Sequence, residues 1–353
     1  MIALVAGIVS GLVRSGAHVP AFVAPEAHGP LMVAGFLGTL VSLERAVAAQ
    51  PHSWVFAAPL CGIVGTLALL LQAPQDLAIV AYLASAFLLL AANVRLWWHH
   101  RALPAATMCA GAAALYAGHL LWLTGTAASQ VACFWMAFLV ATIAGERLEL
   151  SRVVLTPRWA HGIFLLLLFA GALGLAAGGL TSSSGARLLG ASLSGLALWL
   201  FRFDLARRTL RHAGQPRFVA VALLTGFGWL MCGGFLVAAF GPTAGGPVYD
   251  AILHSVFLGF VFAMVFAHAP IIFPAVLGVR IAFLRVFYVH VALLALSVAA
   301  RVLGDLAWLP VLRQLGVWGN VASFVLFLAH TGIGVLRGRA RPARMAAHPQ
   351  QIA

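Results

Sequence analysis

Residues 247–274 read PVYDAILHSVFLGFVFAMVFAHAPIIFP, a run with one acidic side chain, Asp250, and two imidazoles, His254 and His268. Crossing the roughly 30 Å hydrocarbon core of a bilayer takes about 20 apolar residues in a helix, and this run exceeds that. Its apolar residues are continuous and do not alternate, which excludes a strand of a transmembrane barrel. The run predicts a transmembrane helix. Read outward between Arg, Pro and Gly-rich breaks, the chain yields twelve such runs. They start near Met1, His28, Trp54, Leu77, Ala102, Ser129, Trp159, Ala186, Phe218, Pro247, Ile281 and Gly316. The first is the weakest, because its uncharged stretch stops at Arg14; it lacks the basic start of a secretory signal peptide and is expected to stay as a helix.

Composition agrees with a membrane protein. Of 353 residues 63% are hydrophobic and 8% charged, against roughly 45–50% and 25% in soluble domains. All basic residues are Arg, and the formal net charge is +13. No stretch forms a soluble basic domain, so this charge is loop charge that fixes orientation, not a nucleic-acid surface. Only Arg14, Arg187, Arg301 and Arg313 fall on one side of the expected membrane; the other 17 of the 21 basic residues fall after even-numbered runs or in the C-terminal tail. The positive-inside rule then places both termini in the cytoplasm. The expected fold is an all-α integral membrane protein, a twelve-span transmembrane helical bundle over 1–336 followed by an Arg-rich cytoplasmic tail over 337–353. The four cysteines form no Cys-x-x-Cys motif, so they read as small buried hydrophobes, not as a zinc, covalent-haem or disulfide framework.

Intramembrane ionisable groups are costly and point to function, and 13 histidines are many for so apolar a chain. Orientation and helical rise place His28, His119 and His254 in one outer layer on three different helices, the convergence that imidazole ligands of haem iron or copper require. His268 and His290 fall in an inner layer, with His161 nearer the cytoplasmic edge. On an unbroken α-helix His254 and His268 lie within about 40° of one face and about 21 Å apart in depth, which suits two sites or a site and a relay. The competing reading of each is a packed, hydrogen-bonded core histidine. Arg14, Arg187 and Arg301 lie near the outer layer, where guanidinium groups pair bidentately with carboxylates such as haem propionates. A competing partner for Arg301 is Asp305, one turn on. Glu146 reads either as the inner end of a proton path or as a salt-bridged helix end. His330 reads as interfacial.

Two segments resemble a known family. His28-Gly29-Pro30-Leu31-Met32-Val33-Ala34-Gly35-Phe36 is similar to the His-Gly-His-Glu-Met-x-x-Gly-Phe segment of NnrS proteins, and His254, Gly259 and Met264 resemble that family's late His-x4-Gly-x4-Met helix. Gly145-x-Arg147 resembles its Gly-Arg helix end. Pro30 and Leu31 stand where the family has a second His and a Glu, and His268-Ala269-Pro270 stands near its Gly-His-x-Gly-Arg run. The resemblance implies a twelve-span protein of the bacterial inner membrane that carries haem b, with copper as a second candidate metal, and serves nitric oxide stress or denitrification. It implies His28 and His254 as ligands; His268 and His290 as metal ligands rest on depth and composition.

The leading expectation is therefore a membrane haem protein that binds or reduces nitric oxide or a similar diatomic, supplied with electrons by quinol or a partner cytochrome. A secondary transporter of a small solute is the alternative, with Pro270 and Pro274 as a helix break. A copper-handling or assembly factor using Met32 and Met264 is the third. The motifs disfavour a haem-copper terminal oxidase, since the sole His-His pair, His99-His100, lies in an expected cytoplasmic loop.

Overall fold

In lipid, continuous apolar segments satisfy their backbone N–H and C=O groups internally by forming helices. The computed structural model describes residues 1–20, 22–49, 52–151 and 156–339, and every regular element among them is helical. Arg152, Arg341, Arg344, His348 and the expected tail from residue 340 onward lie outside the described residues. Eleven of the described helices are long and apolar enough to cross a membrane. A twelfth, α1 (Ile2–Arg14), has 13 residues, about 20 Å of helix, shorter than the full hydrocarbon thickness.

The long helices are α2 (Pro25–Ala48), α3 (Ser53–Leu70), α4 (Gln75–His100), α5 (Leu103–Leu123), α6 (Ala128–Leu150), α7 (Arg158–Ala176), α8 (Ser183–Phe203), α9 (Gln215–Phe240), α10 (Gly246–Pro274), α11 (Phe287–Leu306) and α12 (Pro310–Gly338). Most begin within three residues of the expected starts. The largest offsets have local causes. Pro310 fits the first turn of α12, where its missing N–H costs nothing, and Gly278 takes the left-handed conformation that ends the segment before α11. Pro270 and Pro274, a helix break or a helix terminus by sequence, lie in the last turns of helical backbone that ends at Leu277.

Neighbouring antiparallel helices cross on small residues. A Cβ on Gly190 of α8 would lie 2.5 Å from the Ala238 backbone nitrogen and 2.6 Å from the Gly234 carbonyl oxygen on α9. Close backbone approach of this kind is how membrane helices gain van der Waals contact without a hydrophobic driving force. Gly190→Val is expected to destabilise the protein by about 1–3 kcal/mol through overpacking, readable as a lowered midpoint in thermal unfolding of the detergent-solubilised protein.

Helices α2 and α10 form the centre of the functional half. They touch at two levels: the rings of His28 and His254 have centroids 6.2 Å apart, and those of Phe36 and Phe262 are 6.0 Å apart and nearly parallel. Each phenylalanine follows its histidine by eight positions, so the two helices run parallel and in register. Each also carries an eight-residue stretch with i→i+5 hydrogen bonding, Leu31–Gly38 in α2 and Ser255–Phe262 in α10. Such π-helical stretches are rare and concentrate at functional sites. The glycines within them admit neighbours: a Cβ on Gly35 would crowd Thr66 Oγ1 and the Tyr82 hydroxyl, and one on Gly259 would collide with the Trp229 side chain.

The wider helical turn has a consequence for which residues share a face. On a regular α-helix His28 and Leu37, nine positions apart, would lie about 180° apart. The i→i+5 stretch takes more residues per turn and rotates the later positions back. His28 and Leu37 accordingly line the same chamber.

Candidate functional site

The ends of α1, α2, α6, α10, α11 and α12 enclose a chamber of about 670 Å³, within the size range of small-molecule and cofactor sites. His28 and His254 stand in its wall, with Arg14, Asp250, Arg301, Trp135, Met32 and Asn320. Arg14, Arg301 and Arg313 all border it; they are three of the four arginines that the sequence separates from the rest. The lower walls include Leu37, Leu258 and Phe262.

Both histidines are held by the same device. His28 Nδ1 lies 2.8 Å from the Gly7 carbonyl oxygen of α1, and His254 Nδ1 lies 2.8 Å from the Asp250 carbonyl oxygen one turn earlier in α10. A carbonyl only accepts, so each Nδ1 carries a proton, and in the neutral ring Nε2 then holds the lone pair, the tautomer of a metal ligand. The fit of His28 against α1 depends on Gly11, whose Cβ would come 2.7 Å from the imidazole. His254 has a further partner, the Asp250 carboxylate at 3.3 Å from Nδ1. Arg301 in turn donates to both oxygens of that carboxylate, at 2.7 and 3.0 Å. Outer partners of this kind orient a histidine ligand and raise its basicity.

The donor set can be tested against the metal groups expected from sequence. The ring centroids of His28 and His254 are 6.2 Å apart, a separation at which both imidazoles can serve one bound group. Among the described residues no group of three or more His, Cys, Asp or Glu side chains is arranged to hold a metal ion. A bare ion would thus find two protein ligands, whereas haem brings four ring nitrogens of its own.

Other expected site residues fall elsewhere. His119 is buried behind the chamber wall, packed edge-on to Trp135 at 6.0 Å and against Tyr82, and does not line the chamber. Arg187 is exposed on the first turns of α8 and is not part of the lining. Arg301 does line the chamber, but the expected pair with Asp305 is not formed. Its guanidinium reaches Asp250 across to α10, while Asp305 pairs with Arg313 at 2.8 Å. Interhelical geometry has overridden the one-turn spacing. Arg301 thus already has its carboxylate partner in Asp250.

His268 and His290 join neither the chamber nor each other. The shared face expected for His254 and His268 assumed an unbroken α-helix, and the i→i+5 stretch between them breaks that register. His268 lines a separate cleft of about 80 Å³, the inner cleft in the orientation expected from sequence, with Glu44, Glu146, Thr142 and Met264. Its Nδ1 lies 2.8 Å from the Met264 carbonyl and its Nε2 3.5 Å from Arg147. Arg147 is itself clamped by Asp204 in two hydrogen bonds of 2.7 and 2.8 Å. His290 is buried among Phe218, Phe266, Phe287 and Phe327, with its Nδ1 3.1 Å from that of His330. His330, expected at the interface, is thus half-buried and paired.

The family model that matches residues 1–335 is described as a domain of unknown function, DUF8744. The chain belongs to that family. No curated protein and no solved structure matches it. The chamber and the inner cleft of this DUF8744 chain both lie within the matched residues. By sequence Asp250 has no role beyond the one acidic side chain of its run, although its position four before His254 is the spacing that brings two side chains together on a helix. Trp135 and Leu37 carried no sequence signal beyond hydrophobicity.

Proposed function

We propose that the protein is a membrane haem protein, of the haem b type with copper as a second candidate metal, that binds or reduces nitric oxide or a similar diatomic in the outer chamber. In this reading twelve helices cross the bacterial inner membrane, both termini are cytoplasmic, and electrons come from quinol or a partner cytochrome. One observation carries it: helices far apart in sequence bring His28 and His254 to one chamber with ring centroids 6.2 Å apart and both Nδ1 atoms engaged by carbonyl oxygens. When bound, haem supplies an iron that takes diatomic ligands.

The chain's own residues bind, orient and exclude water. His28 and His254 would hold the group, and an imidazole not bound to it would hydrogen-bond the guest. Asp250 holds the Nδ1 proton of His254, and Arg301 holds Asp250. Arg14 offers a cation to propionates. Phe262, stacked on Phe36, and Leu37 close the floor toward the cytoplasmic half.

The test is the reduced-minus-oxidised optical spectrum of the detergent-purified protein made with ample haem. Soret and alpha bands that shift on adding nitric oxide support the reading, and a featureless spectrum removes it. Asp250→Asn keeps the shape but weakens the orienting contact, and is expected to lower haem affinity about 10–100-fold, measured by haem titration of the apoprotein. An unchanged affinity would show that the carboxylate does not serve the ligand.

One observation favours the transporter reading. The outer chamber and the inner cleft lie along the same three helices, α2, α6 and α10, and Leu37 borders both. Colourless protein that takes up a solute against a proton gradient would move the assignment there.

A further inference from the structure

The inner cleft asks for a role of its own. Two carboxyl groups from different helices, Glu44 and Glu146, meet there beside His268, a cost that intramembrane positions bear for function. The nearest fixed cations are occupied elsewhere: Arg147 forms its bidentate pair with Asp204, and Arg45 donates to Met108 Sδ at 2.8 Å. Both still act on Glu146 through space, as does Glu44. Two carboxyls in one pocket favour holding a proton between them over ionising together. At about 80 Å³ the cleft also has room for a short file of water, each molecule taking about 30 Å³.

Leu37, 2% exposed, is the side chain common to the linings of the cleft and the outer chamber. It sits in the i→i+5 stretch of α2, and Val261 and Phe262, opposite it on α10, sit in the other such stretch. The barrier between the two spaces is therefore carried by backbone whose hydrogen bonding departs from the regular ladder on both sides.

We propose that Glu44, Glu146 and His268 form a proton-loading site that feeds the outer chamber past a gate at Leu37. A proton is bound as an O–H on the carboxyl pair from the cytoplasmic half and released to water or an acceptor above Leu37; no other bond changes. Its use in reducing a bound diatomic rests on the reading above, but the conduit itself does not.

The test uses the full-length protein in liposomes with a trapped pH dye and an imposed pH gradient. Leu37→Ala opens the gate and is expected to dissipate the gradient about tenfold faster than wild type, a barrier lowered by ~1.4 kcal/mol. Adding Glu44→Gln and Glu146→Gln to Leu37→Ala returns the rate to the wild-type value. A Leu37→Ala protein no leakier than wild type, or a triple variant as leaky as Leu37→Ala alone, overturns the proposal. A second measurement needs no variant: a hydrophobic carbodiimide, which attacks protonated carboxyls in apolar surroundings, is expected to modify Glu44 or Glu146 in the wild type and spare Asp204 and Asp250. Peptide mass spectra with neither glutamate modified would also overturn it. Neither readout depends on haem, so a colourless protein with a working conduit refutes the haem reading alone.

Discussion

His254→Ala is expected to abolish haem incorporation, leaving no Soret band in the purified protein. The loss should exceed the 10–100-fold that an outer partner such as Asp250 contributes, because the substitution removes the ligating nitrogen itself. It also leaves the Asp250–Arg301 pair with no imidazole to orient. His28→Ala should lose haem as well, and it additionally frees the Gly7 carbonyl that ties α1 to α2. Gly11→Val separates the two effects. It retains His28 but places a side chain where the imidazole lies, so haem should be lost with the ligand still present. Retention of full haem by His28→Ala and His254→Ala would end the assignment of these residues.

The largest stability effect is expected at the Arg147–Asp204 pair, which joins the inner ends of α6 and α8. The two side chains are 6% and 0% exposed, and Asp204 also accepts from the Ala206 backbone N–H at 2.7 Å. Removing one partner strands a buried charge, which costs about 3–5 kcal/mol. Arg147→Ala and Asp204→Ala should each lower stability by that amount in unfolding titrations with a denaturing detergent. The double variant should lose less than the sum, since neither charge is then left alone. Arg147 also touches His268, so Arg147→Ala disturbs the inner cleft, and the carbodiimide pattern of Glu146 should change with it.

The membrane character was legible in the sequence because hydropathy is local and additive. The run of residues 247–274 is apolar whatever packs against it, and eleven described helices are long enough to cross a bilayer. The grouping of Arg14, Arg301 and Arg313 was legible too, because arginine placement follows which side of the bilayer a loop faces; all three border one chamber. His28 and His254 stood out as polar groups at matched depth. His119, His268 and His290 stood out by the same rule, and the structure leaves them outside the chamber. Depth is one coordinate, and a site needs three.

What the tertiary structure alone decided is lateral position and rotation. Which helices become neighbours depends on small-residue contacts such as Gly190 against α9 and Gly11 against His28, and no single-chain periodicity reports them. Two i→i+5 stretches reset the faces of α2 and α10, so angles counted at 3.6 residues per turn put His268 with His254 and would set Leu37 opposite His28. Arg301 chose Asp250 over Asp305 for the same reason: a carboxylate presented across a helix interface can meet both guanidinium nitrogens, at 2.7 and 3.0 Å, and one a turn away on the same helix did not. By itself the sequence determined a helical membrane protein with imidazoles at set depths. Packing decided that two of them line one chamber with ring centroids 6.2 Å apart, because rotation about each helix axis is fixed only by what the helix touches.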